Sequence, residues 1–169
     1  ESIIFVQTTN TDIMKSFTLT TEIKVFAMNE LPENDRALVL EAQKATLRSY
    51  APYSHFQVGA AALLEDGTIV TGTNQENAAY PSGLCAERTT LFYANSQYPD
   101  LSIKALAITA RTPDGELCHT PLTPCGACRQ VMVETEKRYG KPMRVLLCGS
   151  EEVYIAESAR SLLPLSFDL

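Results

Sequence analysis

Histidine is nearly missing from this 169-residue sequence. The two that occur, His55 and His119, leave little material for a histidine-based catalytic triad. Lysine and arginine total 14 against 20 acidic residues, a formal net charge of -6, and no run rich in them occurs anywhere. A polynucleotide would find no basic footprint, so nucleic acid is not expected as a ligand. Long apolar runs are also absent: "SIIFV" and "VGAAALL" are far too short to cross a bilayer, and the chain opens on Glu1 rather than on a basic flank. Neither a membrane span nor a signal peptide is expected. There is no internal repeat and no low-complexity block. What is present, 45% hydrophobic and 20% charged residues, suits a globular chain with a packed core. Cysteine occurs five times, an odd number at scattered spacing, which argues for a cytoplasmic protein that uses thiols rather than one stapled by bridges.

The segment from Glu1 to about Asn29 is rich in threonine and lacks proline and glycine. Within "FTLTTEIKV", Phe17, Leu19, Ile23 and Val25 share one face, which predicts an added edge strand packed on the body of the protein. It follows a tail from Glu1 to about Asp12 expected to lack fixed structure, and Met14 is a candidate native start. "LPENDRALVLEAQKATLRSY" has Pro32 near its first turn, acids early, bases late, and Leu38, Ala42 and Ala45 on one stripe, which predicts a helix. "HFQVGAAALLEDGTIVTGTN" places Asp66-Gly67 between two apolar runs, which predicts a hairpin with a two-residue turn and positive φ at both positions. A helix from Leu84 to about Ser96, with Leu84, Leu91 and Phe92 on one face, the strand "IKALAITA", a helix from Cys125 to about Tyr139, the strands "MRVLLC" and "VYIA" and a short helix ending at Leu163-Pro164 follow. This alternation predicts an α/β domain of three layers, α/β/α, over residues 31–169, with residues 1–30 as an extension.

In "TPCGACRQVMVE", Cys125 and Cys128 open a helix after Pro124, where free backbone N-H groups and the positive end of the helix dipole favour thiolates. The pair suits redox work or metal binding. A catalytic zinc takes three protein ligands and leaves a place for water. Cys85, also at a helix start, is the candidate third ligand, and Glu87 two residues on can reach the site without ligating. Taken singly, the C-x-x-C reads equally as a thioredoxin-like pair and Glu87 as dipole stabilisation. Together, Cys-x-Glu and then Pro-Cys-x-x-Cys some forty residues later match the pattern of zinc nucleobase deaminases.

"GTNQENAAYPSGLCAERTTLFYA" and "TPCGACRQ", supported by "YAPYSHFQVGAA" and "SLLPLSF", resemble the small, homotetrameric, three-cysteine cytidine deaminases, and the likeness runs from Leu31 to Phe167. The resemblance implies a five-stranded mixed sheet with flanking helices and one zinc per chain on Cys85, Cys125 and Cys128. It implies that Glu87 carries a proton from water to ring nitrogen 3, and a second to the departing amino group. The substrates would be free cytidine and 2'-deoxycytidine, converted to the uridines and ammonia in pyrimidine salvage. Arg88 would offset the negative charge of three thiolates, with Arg129 a weaker claimant and more naturally structural. Asn74 and Glu76 would hold the sugar 3'-hydroxyl, although turn chemistry is their plain reading. Phe56, otherwise a core strand residue, would lie against the pyrimidine, and the backbone around Ala86 would read the base edge. Phe167, otherwise tail packing, would stack on the base in a neighbouring subunit, and Tyr80 would contribute across the same interface, so that active sites are shared. Cys118 reads as a loop thiol, Cys148 as a buried strand thiol, and His55 is assigned no role. Three other readings stay open: a deaminase of a related nucleoside such as blasticidin S, a catalytically silent zinc module that binds nucleoside, and a redox protein without zinc.

Overall fold

The computed structural model describes residues 15–168. Six strands, β1 (Lys24–Ala27), β2 (Gln57–Leu64), β3 (Ile69–Thr73), β4 (Ile103–Arg111), β5 (Arg144–Cys148) and β6 (Glu152–Ala156), form one sheet with three helices, α1 (Glu33–Thr46), α2 (Ala86–Gln97) and α3 (Gly126–Tyr139), on its faces. The strand order is β1-β6-β5-β4-β2-β3. Only β4 and β5 run parallel; the other pairs are antiparallel. Successive side chains of a strand point to opposite faces. Accordingly Ala105 and Ala107 of β4 pack with Leu146, Ile155 and the Leu38, Val39 and Ala42 stripe of α1. Leu106 and Ile108 pack on the other face with Leu91 of α2 and Met132 of α3. The three layers and the mixed sheet are those expected, with five strands extended by one.

Several boundaries differ from the sequence reading. The helix expected to run to Tyr50 ends at Thr46. Leu84 is not helical but bridges Gln75, so α2 starts at Ala86, and Phe92 is turned to solvent. The hairpin loop is one residue longer than expected. The Gly67 N-H bonds to the Leu64 carbonyl at 3.1 Å, and only Gly67, not Asp66, has positive φ, at 93°. This is a turn over Glu65-Asp66 closed by a left-handed glycine, an alternative that Asp-Gly serves equally well.

The added edge strand exists, but it begins at Lys24. Its partner β6 has five residues, and Lys24 pairs with Ile155 near the end of β6, so the residues before Lys24 have almost no ladder left to join. Of the four residues expected on one packed face, only Ile23 meets the core; Phe17, Leu19 and Val25 are exposed. Phe26 packs instead, on the α1 side. The reading of Glu1 to Asp12 as a tail, and of Met14 as a start, lies outside the described residues. A chain of charges secures the strand. Asp35, buried on α1, holds the Arg144 guanidinium through two bonds of 2.9 and 2.8 Å, Arg144 meets Glu157 at 3.3 Å, and Glu157 meets Lys24 at 2.8 Å.

On the opposite face, Glu136 of α3 is buried and accepts hydrogen bonds from the Met143 N-H (2.7 Å), the Ala159 N-H (2.8 Å) and the Ser158 hydroxyl (3.0 Å). Removing a buried acceptor leaves its donors unsatisfied. Glu136→Ala is expected to destabilise the fold by about 2–4 kcal/mol, with Glu136→Gln costing less because its amide oxygen still accepts. Chemical denaturation of both variants checks this; equal stability of Glu136→Ala and the parent would refute it. Among the described residues, no helix is long and apolar enough to cross a membrane.

Candidate active site

Two helix starts build the site. Cys85 and Cys125 occupy the residue before α2 and before α3, both in extended conformation, and neither side chain is spent on capping. Side chains in a helix lean toward its N-terminus, so Cys128, in the first turn of α3, comes back toward Cys125. The Cys125 and Cys128 sulfurs are 3.5 Å apart, Cys85 and Cys125 are 3.9 Å apart, and all three sulfurs lie within 4.8 Å of one another. Cys128 is buried, Cys85 half-buried and Cys125 exposed, so the cluster opens on one side. It is the only group of three or more such ligand atoms found among the described residues. Three soft sulfur donors with no oxygen donor in the set fit zinc.

Electrostatics favour a thiolate here. Hydrogen bonds from Cys128 and from Arg88 (3.7 Å) draw the Cys85 thiol down to about 5 against the resistance of burial. Cys128 keeps the shared proton and is held well above its ordinary value by that bond and by burial. Glu87 is only 4% exposed, and burial pushes its carboxyl above the usual range. The Cys85 charge adds to this push, while its own backbone N-H and the Cys128 thiol oppose it. A carboxyl whose charged form is disfavoured by burial accepts a proton more readily than a solvated one. Arg88 is raised chiefly by its bond to Cys85, and its Nε is buried without a partner.

A second group of residues lies beside the first. Gln75 exchanges backbone bonds with Leu84 (2.9 and 3.0 Å), next to Cys85, while the Glu76 N-H bonds to the Tyr50 carbonyl at 2.9 Å. Asn74 donates to the Phe56 carbonyl (2.9 Å) and accepts from the Val58 N-H (2.9 Å) and the Ser49 hydroxyl (2.5 Å). Glu76 accepts from the Tyr53 N-H (2.9 Å), the Ser54 N-H (3.2 Å) and the Ser54 hydroxyl, which hold its carboxyl below the ordinary range. Asn74 and Glu76 therefore shape the loop that presents Phe56, with His55 in left-handed backbone at φ 55° beside it. Ala86 is buried at the first position of α2.

Tyr80 and Phe167 are turned to solvent, 91% and 69% exposed. Arg129 bonds to the Pro124 and Leu162 carbonyls (2.8 and 3.0 Å), bracing the loop before Cys125. Cys148 is buried on β5, and Cys118 is half-buried in a loop. Sequence reasoning missed Gln130, whose side chain grips the backbone of Phe167, and Ser54, whose hydroxyl and N-H meet Glu76. Gln130 stands in the quoted "TPCGACRQ", but nothing in its residue type points to the tail.

Residues 32–139 match the family described as the cytidine and deoxycytidylate deaminase zinc-binding region. A cytidine deaminase of Sporosarcina psychrophila is 52% identical over 97 residues, which cover 57% of this chain and 66% of that protein. One from Halalkalibacterium halodurans is 48% identical over 97 residues, 57% of this chain and 68% of that protein. The matches thus span about two thirds of the length of these relatives. The crystal structure of cytidine deaminase from Burkholderia pseudomallei superposes with a TM-score of 0.65 at 41% identity, covering 78% of this chain and 97% of that one. The chain belongs to the cytidine and deoxycytidylate deaminase family.

Proposed function

We propose that this protein hydrolytically deaminates free cytidine and 2'-deoxycytidine to the corresponding uridines and ammonia, with one zinc ion per chain held by Cys85, Cys125 and Cys128. The observation that carries the reading is the convergence of three cysteine sulfurs at two helix starts beside a buried glutamate. Bound there, zinc supplies Lewis acidity that lets water act as a nucleophile near neutral pH. Glu87 takes the proton of the attacking water and delivers it to ring nitrogen 3, which makes carbon 4 electrophilic. Glu87 then relays the second proton to the amino group, which leaves as ammonia while the carbonyl forms. Arg88, hydrogen-bonded to Cys85, and the two helix N-termini offset the charge of the thiolates.

Asn74 and Glu76 hold the sugar 3'-hydroxyl, Phe56 lies against the pyrimidine, and the backbone at Ala86 reads the base edge. The exposed Tyr80 and Phe167 act in a neighbouring subunit of a homotetramer, so a single chain has an incomplete site. Residues 1–30 form an extension to a catalytic domain of residues 31–169, in keeping with a family match that starts at residue 32. Five cysteines without a disulfide fit a cytoplasmic setting, and the reaction fits pyrimidine salvage.

The test is ultraviolet absorbance with cytidine, 2'-deoxycytidine and blasticidin S, on protein of measured zinc content. Zinc near one per chain and loss of cytidine turnover on chelation, restored by zinc, are expected. Turnover of blasticidin S alone would move the substrate assignment. No turnover at full zinc occupancy would leave a binding module, and a zinc-free protein with a Cys125–Cys128 disulfide would leave a redox protein.

A further inference from the structure

We infer that Gln130 is a positioning residue that sets the Phe167 ring for the substrate base. This inference rests on the proposed contact of Phe167 with the base. The Gln130 amide meets the Phe167 backbone twice. Its Nε2 donates to the Phe167 carbonyl at 2.8 Å, and its Oε1 accepts from the Phe167 N-H at 3.0 Å. One planar side chain thus makes the pair of bonds a neighbouring strand would make, and fixes the backbone on both sides of the Phe167 Cα. Lys137, two helical turns further along α3, adds an ion pair with Asp168 at 2.5 Å. Gln130 and Lys137, side chains of α3, both hold the tail, and Gln130 holds Phe167 itself.

The result is an aromatic with a bound backbone and a free ring, 69% exposed. A ring on a loose tail must be ordered each time it stacks, and that entropy opposes binding. Gln130 removes the cost beforehand. Because both side-chain hydrogen bonds of Gln130 go to the Phe167 backbone, its effect belongs to substrate affinity and not to the proton transfers. Because it lies two residues after Cys128, α3 carries both a zinc-ligand candidate and the residue that holds the Phe167 backbone.

The test is a double-mutant cycle on the zinc-loaded protein with cytidine. Base stacking on an aromatic supports about a tenfold rise in KM for Phe167→Ala. Loss of two backbone bonds supports a rise of about three- to tenfold for Gln130→Leu, with kcat within about twofold of the parent. Gln130→Asn, which keeps an amide, is expected between Gln130→Leu and the parent. In the Phe167→Ala background, Gln130→Leu is expected to add less than about twofold, since the residues act as a unit. Zinc content and assembly mass accompany each variant, and both are expected to match the parent. If Phe167→Ala leaves KM unchanged, the stacking reading falls and this inference with it. If Phe167→Ala raises KM and Gln130→Leu does not, only this inference is overturned. A multiplied effect in the double variant, or dissociation of the assembly by Gln130→Leu, also overturns it.

Discussion

Glu87→Gln is expected to lower kcat/KM for cytidine by about 10⁴-fold or more, with zinc content unchanged. General acid-base catalysis by one positioned group contributes about 10²–10⁴-fold, and Glu87 is assigned two successive proton transfers, so the upper end applies. Glutamine keeps the shape of the side chain and cannot accept the proton of water. The variant also separates chemistry from folding. Glu87 is buried and its carboxyl is held up by desolvation, so exchanging it for a neutral amide removes a strained charge and should not lower the unfolding midpoint. Glu87→Ala should abolish turnover equally and still retain zinc, because the three sulfurs remain. Appreciable turnover by either variant, measured by single-turnover absorbance at high enzyme concentration, would remove Glu87 from the mechanism.

Gly59→Ala is expected to cost about 3 kcal/mol or more, read as a fall of about 6–12 °C in the thermal midpoint. Gly59 lies on β2 where α1 crosses the sheet. A Cβ there would press on the Ala42 carbonyl oxygen, lie 2.7 Å from the Thr46 nitrogen and 3.0 Å from the Thr46 methyl. Two of these neighbours are helix backbone and cannot rotate away, so α1 would have to lift from the sheet. That would loosen the cluster of Leu38, Val39 and Ala42 against β4 and β5. Gly67→Ala is a useful comparison, since nothing lies within 4 Å of its would-be Cβ and only its φ of 93° opposes the change. Circular dichroism melts of the two variants check the ranking, and an unshifted Gly59→Ala midpoint would show that α1 has room to move.

The cysteines were the most legible part of the site because their arrangement is local. An extended residue followed by a helical turn places Cys125 and Cys128 together whatever the rest of the chain does, and the same rule aims Cys85 and Glu87. The alternation of helices and strands was legible for a similar reason, since burial on one face imposes a period. Partner choice was not. That β4 runs parallel to β5, and that β1 joins β6 over only four residues, depend on chain reversals and strand lengths far away in sequence. Asp66-Gly67 suggested a turn correctly but not its length, because the glycine satisfies either geometry. Glu136 and Gln130 read as ordinary polar residues of a helix surface. Their roles come from backbone N-H groups and a tail that arrive later in the chain, and no spacing rule announces such arrivals.

The placement of β1 also alters what the sheet offers to other molecules. Without it, β6 would present a row of unpaired amides and carbonyls, a template on which a foreign strand could grow. With it, the outermost strand is four residues long, begins with a lysine and is anchored through Glu157 and Arg144 to buried Asp35. Short, charged margins are poor seeds for fibrillar growth. β1 therefore acts as a selvage, a finished border along the β6 side of the sheet.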